Sequence, residues 1–256
     1  MKRTTLHILF FLMCFLSVFH QIVNAQDSTK KEKYLKNTIH INITNPIVFG
    51  SRNIILGYER NVNERQTFTV NFGLASFPNL GIVVSDSLKA KGDGENKGYN
   101  FSVDYRFYLS KENKYSAPRG IYIGPYYSYN YFGKKHVWTL KSTNGGAPVD
   151  VSTETSLRFN TIGFEMGYQF VFWNRVSLDL VLIGPGIATY NLKASINTSN
   201  LSEADKIKFY EKINEGLSEK FPGYAWAVDE SEFKSNGSTN TTSLGYRYVV
   251  QLGFRF

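Results

Sequence analysis

The segment Leu244–Phe256 alternates side-chain character residue by residue: Tyr246, Tyr248, Val250, Leu252, Phe254 and Phe256 fall on one side, Gly245, Arg247, Gln251, Gly253 and Arg255 on the other. Extended strands repeat every two residues, so this spacing gives one apolar and one small or polar face. A register slip of one residue would exchange the two faces, which fixes the pairing strongly. The pattern recurs along the chain. Ile54, Leu56 and Tyr58 alternate with Ile55, Gly57 and Glu59, and Phe68, Val70, Phe72 and Leu74 alternate with Thr67, Thr69, Asn71 and Gly73. Tyr99, Phe101, Val103, Tyr105, Phe107 and Leu109 alternate with Asn100, Ser102, Asp104, Arg106 and Tyr108, and Ile162, Phe164, Met166, Tyr168 and Phe170 with Gly163, Glu165, Gly167 and Gln169. These runs reach the roughly 9–11 residues of a tilted membrane strand, against about 5–6 in soluble sheets.

What sits on each face separates a membrane barrel from a soluble sandwich. In a sandwich the bulky apolar face is the interior. In a membrane barrel that face meets lipid, while charged and small residues line the inside. Gly57, Gly73, Gly124, Gly163, Gly167 and Gly253 recur on the polar face, as a narrow interior requires. The chain carries 17 Tyr and 20 Phe but 3 Met, with a slightly negative mean hydropathy of -0.26. After residue 25 no segment approaches about 18 consecutive apolar residues, which excludes helical spans.

Lys2 and Arg3, the apolar run Leu6–Phe19 and the Val23-Asn24-Ala25 site predict a secretory signal over 1–25, cleaved after Ala25. Cys14, the single cysteine, lies inside the apolar run behind Leu12 and Met13, not at a small-residue lipid-attachment site. It leaves with the signal, so an exported protein without disulfides is expected. Residues 26–37 are polar and predict a flexible periplasmic tail, and 38–256 the barrel. Lys2 and Arg3 also account for two of the formal +8 charges. The remaining excess is spread out, which argues against nucleic acid and suits attraction to outer-membrane lipids and lipopolysaccharide.

The expected architecture is all-β: a transmembrane antiparallel up-and-down barrel of about 8 strands, near 38–49, 53–62, 66–77, 98–109, 120–131, 161–172, 176–193 and 243–256. Ten strands result if 134–142 and 149–157 form a further spanning hairpin. The long connections 77–98, 132–160 and 194–242 fall on one side, the external one by this topology. Around Asn144-Gly145-Gly146, the segments 126–140 and 149–172 exceed one crossing, predicting a hairpin raised above the membrane as an open edge. Pro125 and Pro185 cannot donate to a ladder and mark a bulge or the outer rim. Ser202–Lys220 is the predicted helix, in the last external loop, with Ile207, Tyr210, Ile213, Leu217 and Phe221 at helical spacing.

Three segments carry a family resemblance: Gly120-Ile121-Tyr122-Ile123-Gly124-Pro125-Tyr126, Phe172-Trp173-Asn174-Arg175 and Ile183-Gly184-Pro185-Gly186, together with the aromatic last strand. Over roughly 38–256 the chain resembles the small OmpA/OmpX-like outer-membrane barrels, especially those of Bacteroidota. The resemblance implies a Gram-negative outer membrane, and barrel-assembly machinery that reads the C-terminal strand with Phe256 as the assembly signal. It brings no catalytic residues.

Inward parity collects Glu59, Asp104, Glu165 and Asp179 against Arg106, Arg247 and Arg255. Charges in a low-dielectric interior must pair or stay hydrated, so a lumenal charge network that plugs the barrel is expected. Beyond the signal the histidines are His40, which alternates inward, and His136, in an expected loop. Neither sits in a nucleophile–base arrangement or a metal-ligand cluster. No enzyme activity, cofactor or metal is therefore expected. The expected role is binding, adhesion or envelope integrity through external loops and an unknown extracellular ligand or protein. A small porin is the alternative, and a lipid-modifying enzyme the third reading.

Overall fold

The computed structural model describes residues 35–76, 88–90, 94–140, 149–197, 203–220 and 237–256. The expected signal 1–25, residues 26–34 of the expected tail and the Asn144-Gly145-Gly146 turn lie outside the described residues. Strands β1 (Asn37–Asn42), β2 (Ile55–Asn63), β3 (Gln66–Leu74), β4 (Leu88–Ala90), β5 (Glu95–Tyr108), β6 (Gly120–Leu140) and β7 (Val149–Phe172) are followed by β8 (Val176–Ile183), β9 (Pro185–Asn197), β10 (Ser238–Tyr246) and β11 (Val249–Arg255). Two helices, α1 (Thr44–Phe49) and α2 (Glu203–Lys220), complete the described elements.

All described pairings are antiparallel, and β1 closes the ring by pairing with both β2 and β11. β8 and β9 run as one wall strand interrupted at Gly184, since β7 pairs with each in turn. β10 and β11 continue one another in the same way, pairing with β9 and β8. The wall is thus a closed barrel of 8 strands, and 134–140 and 149–157 lengthen two of them instead of adding a ninth and tenth.

The wall is inside-out relative to a soluble protein. Phe164 is 69% and Leu244 64% exposed on the outer face, while Glu59, Arg106 and Asp179 are at 0% inside. One ladder row shows how continuous the outer surface is: Val70, Val103, Tyr127, Ile162, Ile187 and Leu244 stand side by side across six strands.

Several details differ from the sequence reading. The first strand stops at Asn42 instead of reaching residue 49, and Thr44–Phe49 turns into α1. Pro46 supplies no ladder donor but suits a helical first turn, and the Asn42 side-chain carbonyl accepts the Asn45 N–H at 2.9 Å. The last residues of the expected flexible tail are tied down. Leu35 is buried, and its carbonyl accepts from Asn61 and Arg255, while Asn37 exchanges backbone bonds with Phe256. An apolar residue at the barrel's lower mouth gains more from burial than from water. Pro185 begins β9 at the Gly184 break, as its missing donor demands. Pro125 instead sits within the wall opposite Phe164, and the ladder to β5 loses the partners of Tyr105 and Arg106 beside it. There a Cβ on Gly124 would collide with the Tyr105 carbonyl.

β6 and β7 pair without interruption from Gly120–Gln169 to Leu140–Val149. At about 3.4 Å per residue this hairpin outreaches a bilayer's hydrocarbon core of roughly 30 Å. It is not an open edge, however. β5 and β4 flank it on one side and β9 on the other, up to Ser152–Asn197. The result is a raised sheet in the order β10-β9-β7-β6-β5. Against its inner face lie Phe132, Leu157, Tyr190 and Leu192, joined by Ile213 and Leu217 of α2. The predicted helix starts at Glu203 and packs Ile213 and Leu217 on the inner face of the raised sheet.

Candidate functional site

The interior below α2 is filled by polar side chains from strands that are distant in sequence. On β5, Asp104 and Arg106 are two residues apart and share the inward face, which lets Arg106 Nε donate to Asp104 Oδ2 at 2.7 Å. From the opposite wall, Asp179 of β8 accepts from Arg106 Nη1 at 2.8 Å. Glu165 of β7 lies 3.4 Å and Glu59 of β2 3.8 Å from the same guanidinium. Arg247, in the gap between β10 and β11, adds the second cation, 3.1 Å from Glu165 and 3.5 Å from Asp104.

Neutral groups complete the arrangement. Tyr122 donates to Asp179 Oδ1 at 2.7 Å, and the Arg106 guanidinium lies 4.5 Å from its ring centre. Gln169 Nε2 donates to Glu59 Oε2 at 3.0 Å, and Tyr108 donates to Gln169 Oε1 at 2.7 Å. His40 Nε2 lies 3.1 Å from Glu59 Oε2. Gln251 Nε2 donates to Asn71 Oδ1, and Asn71 Nδ2 to Ser102 Oγ. The lumenal glycines make the crowding possible: a Cβ on Gly167 would run into the Tyr122 hydroxyl, and one on Gly253 into Ser177 Oγ.

The structure thus gathers Glu59, Asp104, Arg106, Glu165, Asp179 and Arg247 and leaves Arg255 apart. Arg255 bonds Asn174 Oδ1 at 2.9 Å and the Leu35 carbonyl at 3.1 Å, at the lower end of the last strand. Parity gives its face correctly but not its height along the barrel axis. His136 also departs from expectation, being a buried strand residue of β6 and not a loop residue. Tyr108, Tyr122, Gln169 and Gln251 belong to the lumen as well. The same alternation carries them, but uncharged side chains give no reason to single them out.

Chemically the arrangement sets four carboxylates against two guanidinium groups, with His40 a further cation only when protonated. Mutual attraction and many hydrogen bonds offset the desolvation of each charge. Among the described residues, no group of three or more His, Cys, Asp or Glu is disposed to hold a metal ion.

No family model matches the chain, and no curated protein matches it. Among solved structures it is similar to a major outer membrane protein from Thermus thermophilus, with 13% identity over 88% of this chain and 100% of that one and a TM-score of 0.35. The barrel class rests on the closed ladder itself.

Proposed function

We propose that this chain is an integral outer-membrane β-barrel with a plugged lumen, acting through its raised external sheet in binding, adhesion or envelope integrity. The observation that carries this reading is the inversion of the wall, with Phe164 and Leu244 outward and Arg106 and Asp179 fully enclosed. Exposed apolar residues in a continuous belt are costly in water and favourable in lipid. Closure of the ladder satisfies the backbone in a medium without water, which a membrane-spanning sheet requires. The ionic cluster occupies a cross-section that an eight-stranded barrel leaves barely wide enough for side chains.

In this reading the raised sheet is the part that meets the exterior. Barrel-assembly machinery would engage the final strand and Phe256, whose N–H and carbonyl bond Asn37. Fractionation of the producing cell, with gel migration before and after heating, tests the placement: an outer-membrane, heat-modifiable band is expected. Planar-bilayer recording of the purified barrel separates plug from pore, with no discrete steps expected. Recovery in the soluble fraction without a heat shift would overturn the proposal.

A further inference from the structure

Above the apolar belt, the outer face of the raised sheet changes character row by row. Tyr99, Tyr131, Arg158, Asn191 and Asn240 stand side by side on β5, β6, β7, β9 and β10. The next row up is Lys97, Gly133, Ser156, Lys193 and Ser238, and the next Glu95, Lys135, Glu154 and Ser195. Tyr131 and the two upper rows line a groove of about 610 Å³, with Arg158 beside Tyr131 just below its edge.

The lower border of that groove is a tyrosine cluster. Tyr99 lies 5.8 Å from Tyr129 and 5.5 Å from Tyr131, between ring centres. Arg158 lies 5.6 Å from the Tyr131 ring centre. Amphipathic rings of this kind gather where hydrocarbon gives way to headgroups. Beside and directly above them the wall turns basic: Arg158 lies level with the tyrosines and Lys97, Lys135 and Lys193 above, facing two acids. Glu95 pairs with Lys97 at 3.3 Å and Glu154 with Lys135 at 3.2 Å. Among the described residues Arg158 and Lys193 have no carboxylate partner, and they are diagonal neighbours, since Ser156 opposes Lys193 and Arg158 opposes Asn191.

The floor between the lysines is small. Gly133 and Ser156 separate Lys97 from Lys193, which stand three strand spacings apart, roughly 14 Å. A Cβ at Gly133 would come within 2.9 Å of the Tyr131 hydroxyl, so the glycine leaves that hydroxyl open over the floor. Ser156, Ser195 and Ser238 add neutral hydrogen-bonding groups around it.

We propose that this groove is a docking site for the phosphorylated headgroup of an outer-leaflet glycolipid, held by Arg158 and Lys193 with Lys97 at the far side. The assignment rests on the outer-membrane reading above, which sets these rows at the lipid–water boundary. Charge complementarity selects an anion. The position immediately above the tyrosines selects one attached to an acyl chain, because its tails would lie along Tyr127, Ile162 and Ile187 below. The serines and the open floor suit sugar hydroxyls, and a headgroup with phosphates spread over a short glycan reaches both basic ends.

The test uses the full-length barrel extracted in mild detergent and mixed with phosphatidylethanolamine micelles carrying either a diphosphorylated glycolipid or its dephosphorylated form. Native mass spectrometry counts lipids retained per barrel. Retention of the phosphorylated form at least tenfold above the dephosphorylated form is expected, falling by a similar factor in Arg158→Gln/Lys193→Gln. Lys193→Arg should retain it, and so should Lys111→Gln/Lys114→Gln at the opposite end of the barrel. Equal loss in both double variants, or equal retention of the two glycolipids, overturns the site, as does displacement by millimolar inorganic phosphate. Heat-modifiable migration, read on each variant, reports failure of the outer-membrane barrel separately from failure of the groove.

Discussion

Arg106 donates to Asp104, its neighbour two positions back on the same strand, and to Asp179 on the facing wall, so one guanidinium ties opposite sides of the barrel together. Both acceptors and Arg106 itself are fully enclosed. Removing this cation leaves Asp104, Glu165, Asp179 and Glu59 facing one another across a few ångströms with Arg247 as the remaining guanidinium. Breaking a buried ion pair on one side typically costs about 3–5 kcal/mol. Arg106→Met should therefore lower the unfolding free energy of the detergent-solubilised barrel, read from its urea titration, by an amount in that range. Arg106→Lys should rescue little, because a point charge cannot copy the planar fork that reaches both carboxylates. An unchanged midpoint in Arg106→Met would show that the cluster is hydrated.

The same geometry predicts the sign of any current that leaks through a damaged plug. Arg106→Ala combined with Asp179→Ala removes the bridge across the lumen. It leaves Glu59, Asp104 and Glu165 against Arg247, an acid-dominated passage. Reversal potentials in a salt gradient should then show cation preference, with conductance steps that the native barrel lacks. Anion preference in that variant would count against the described placement of the carboxylates.

Gly167 supplies a test of packing instead of charge. The Tyr122 hydroxyl, bonded to Asp179 at 2.7 Å, and the Leu180 carbonyl both occupy the space that a Cβ on Gly167 would need. Gly167→Val should reduce the heat-modifiable fraction, and Tyr122→Leu in the same chain should restore part of it. Contacting residues couple by about 0.5–3 kcal/mol, whereas independent ones add. Simple additivity of the two substitutions would mean that the side chains do not meet.

How far the sequence can be read follows from which interactions obey a period. Two-residue alternation gives the lipid face, the lumenal face of Glu59, Asp104, Arg106, Glu165, Asp179 and Arg247, and the barrel class. Helical spacing gives α2 to within a residue at its start. Height along the barrel axis has no period, because it depends on strand stagger between chain-distant partners, and so parity alone groups Arg255 with a cluster that it does not reach. At Asn42-Ile43-Thr44-Asn45-Pro46 a side-chain acceptor and a proline end the first strand, a local stop signal that alternation passes over. The raised hairpin is legible as excess strand, but its flanks are not, since β5 and β9 approach it from chain-distant segments. Gly133 and Ser156 look ordinary in the sequence until their rows place them between Lys97 and Lys193.

The helical cap can be separated from the barrel by one substitution. Ile213 and Leu217 of α2 are fully buried against Leu157 and Leu192 of the raised sheet. Each large apolar side chain contributes about 1.5–3 kcal/mol on complete burial. Helical stability in proteins comes mostly from packing of an apolar face and less from propensity, so these contacts hold the helix in place. Leu217→Asp would set a carboxylate against an apolar layer and release the helix. The wall beneath is stabilised by its own closed ladder, so the barrel should survive. With intact cells, an added protease should cleave the variant between residues 198 and 237 faster than the native protein, while heat-modifiable migration stays unchanged. If cleavage is no faster, the cap is held by something other than Ile213 and Leu217. If the barrel itself unfolds, α2 belongs to the barrel's folding core and is not a separable cover.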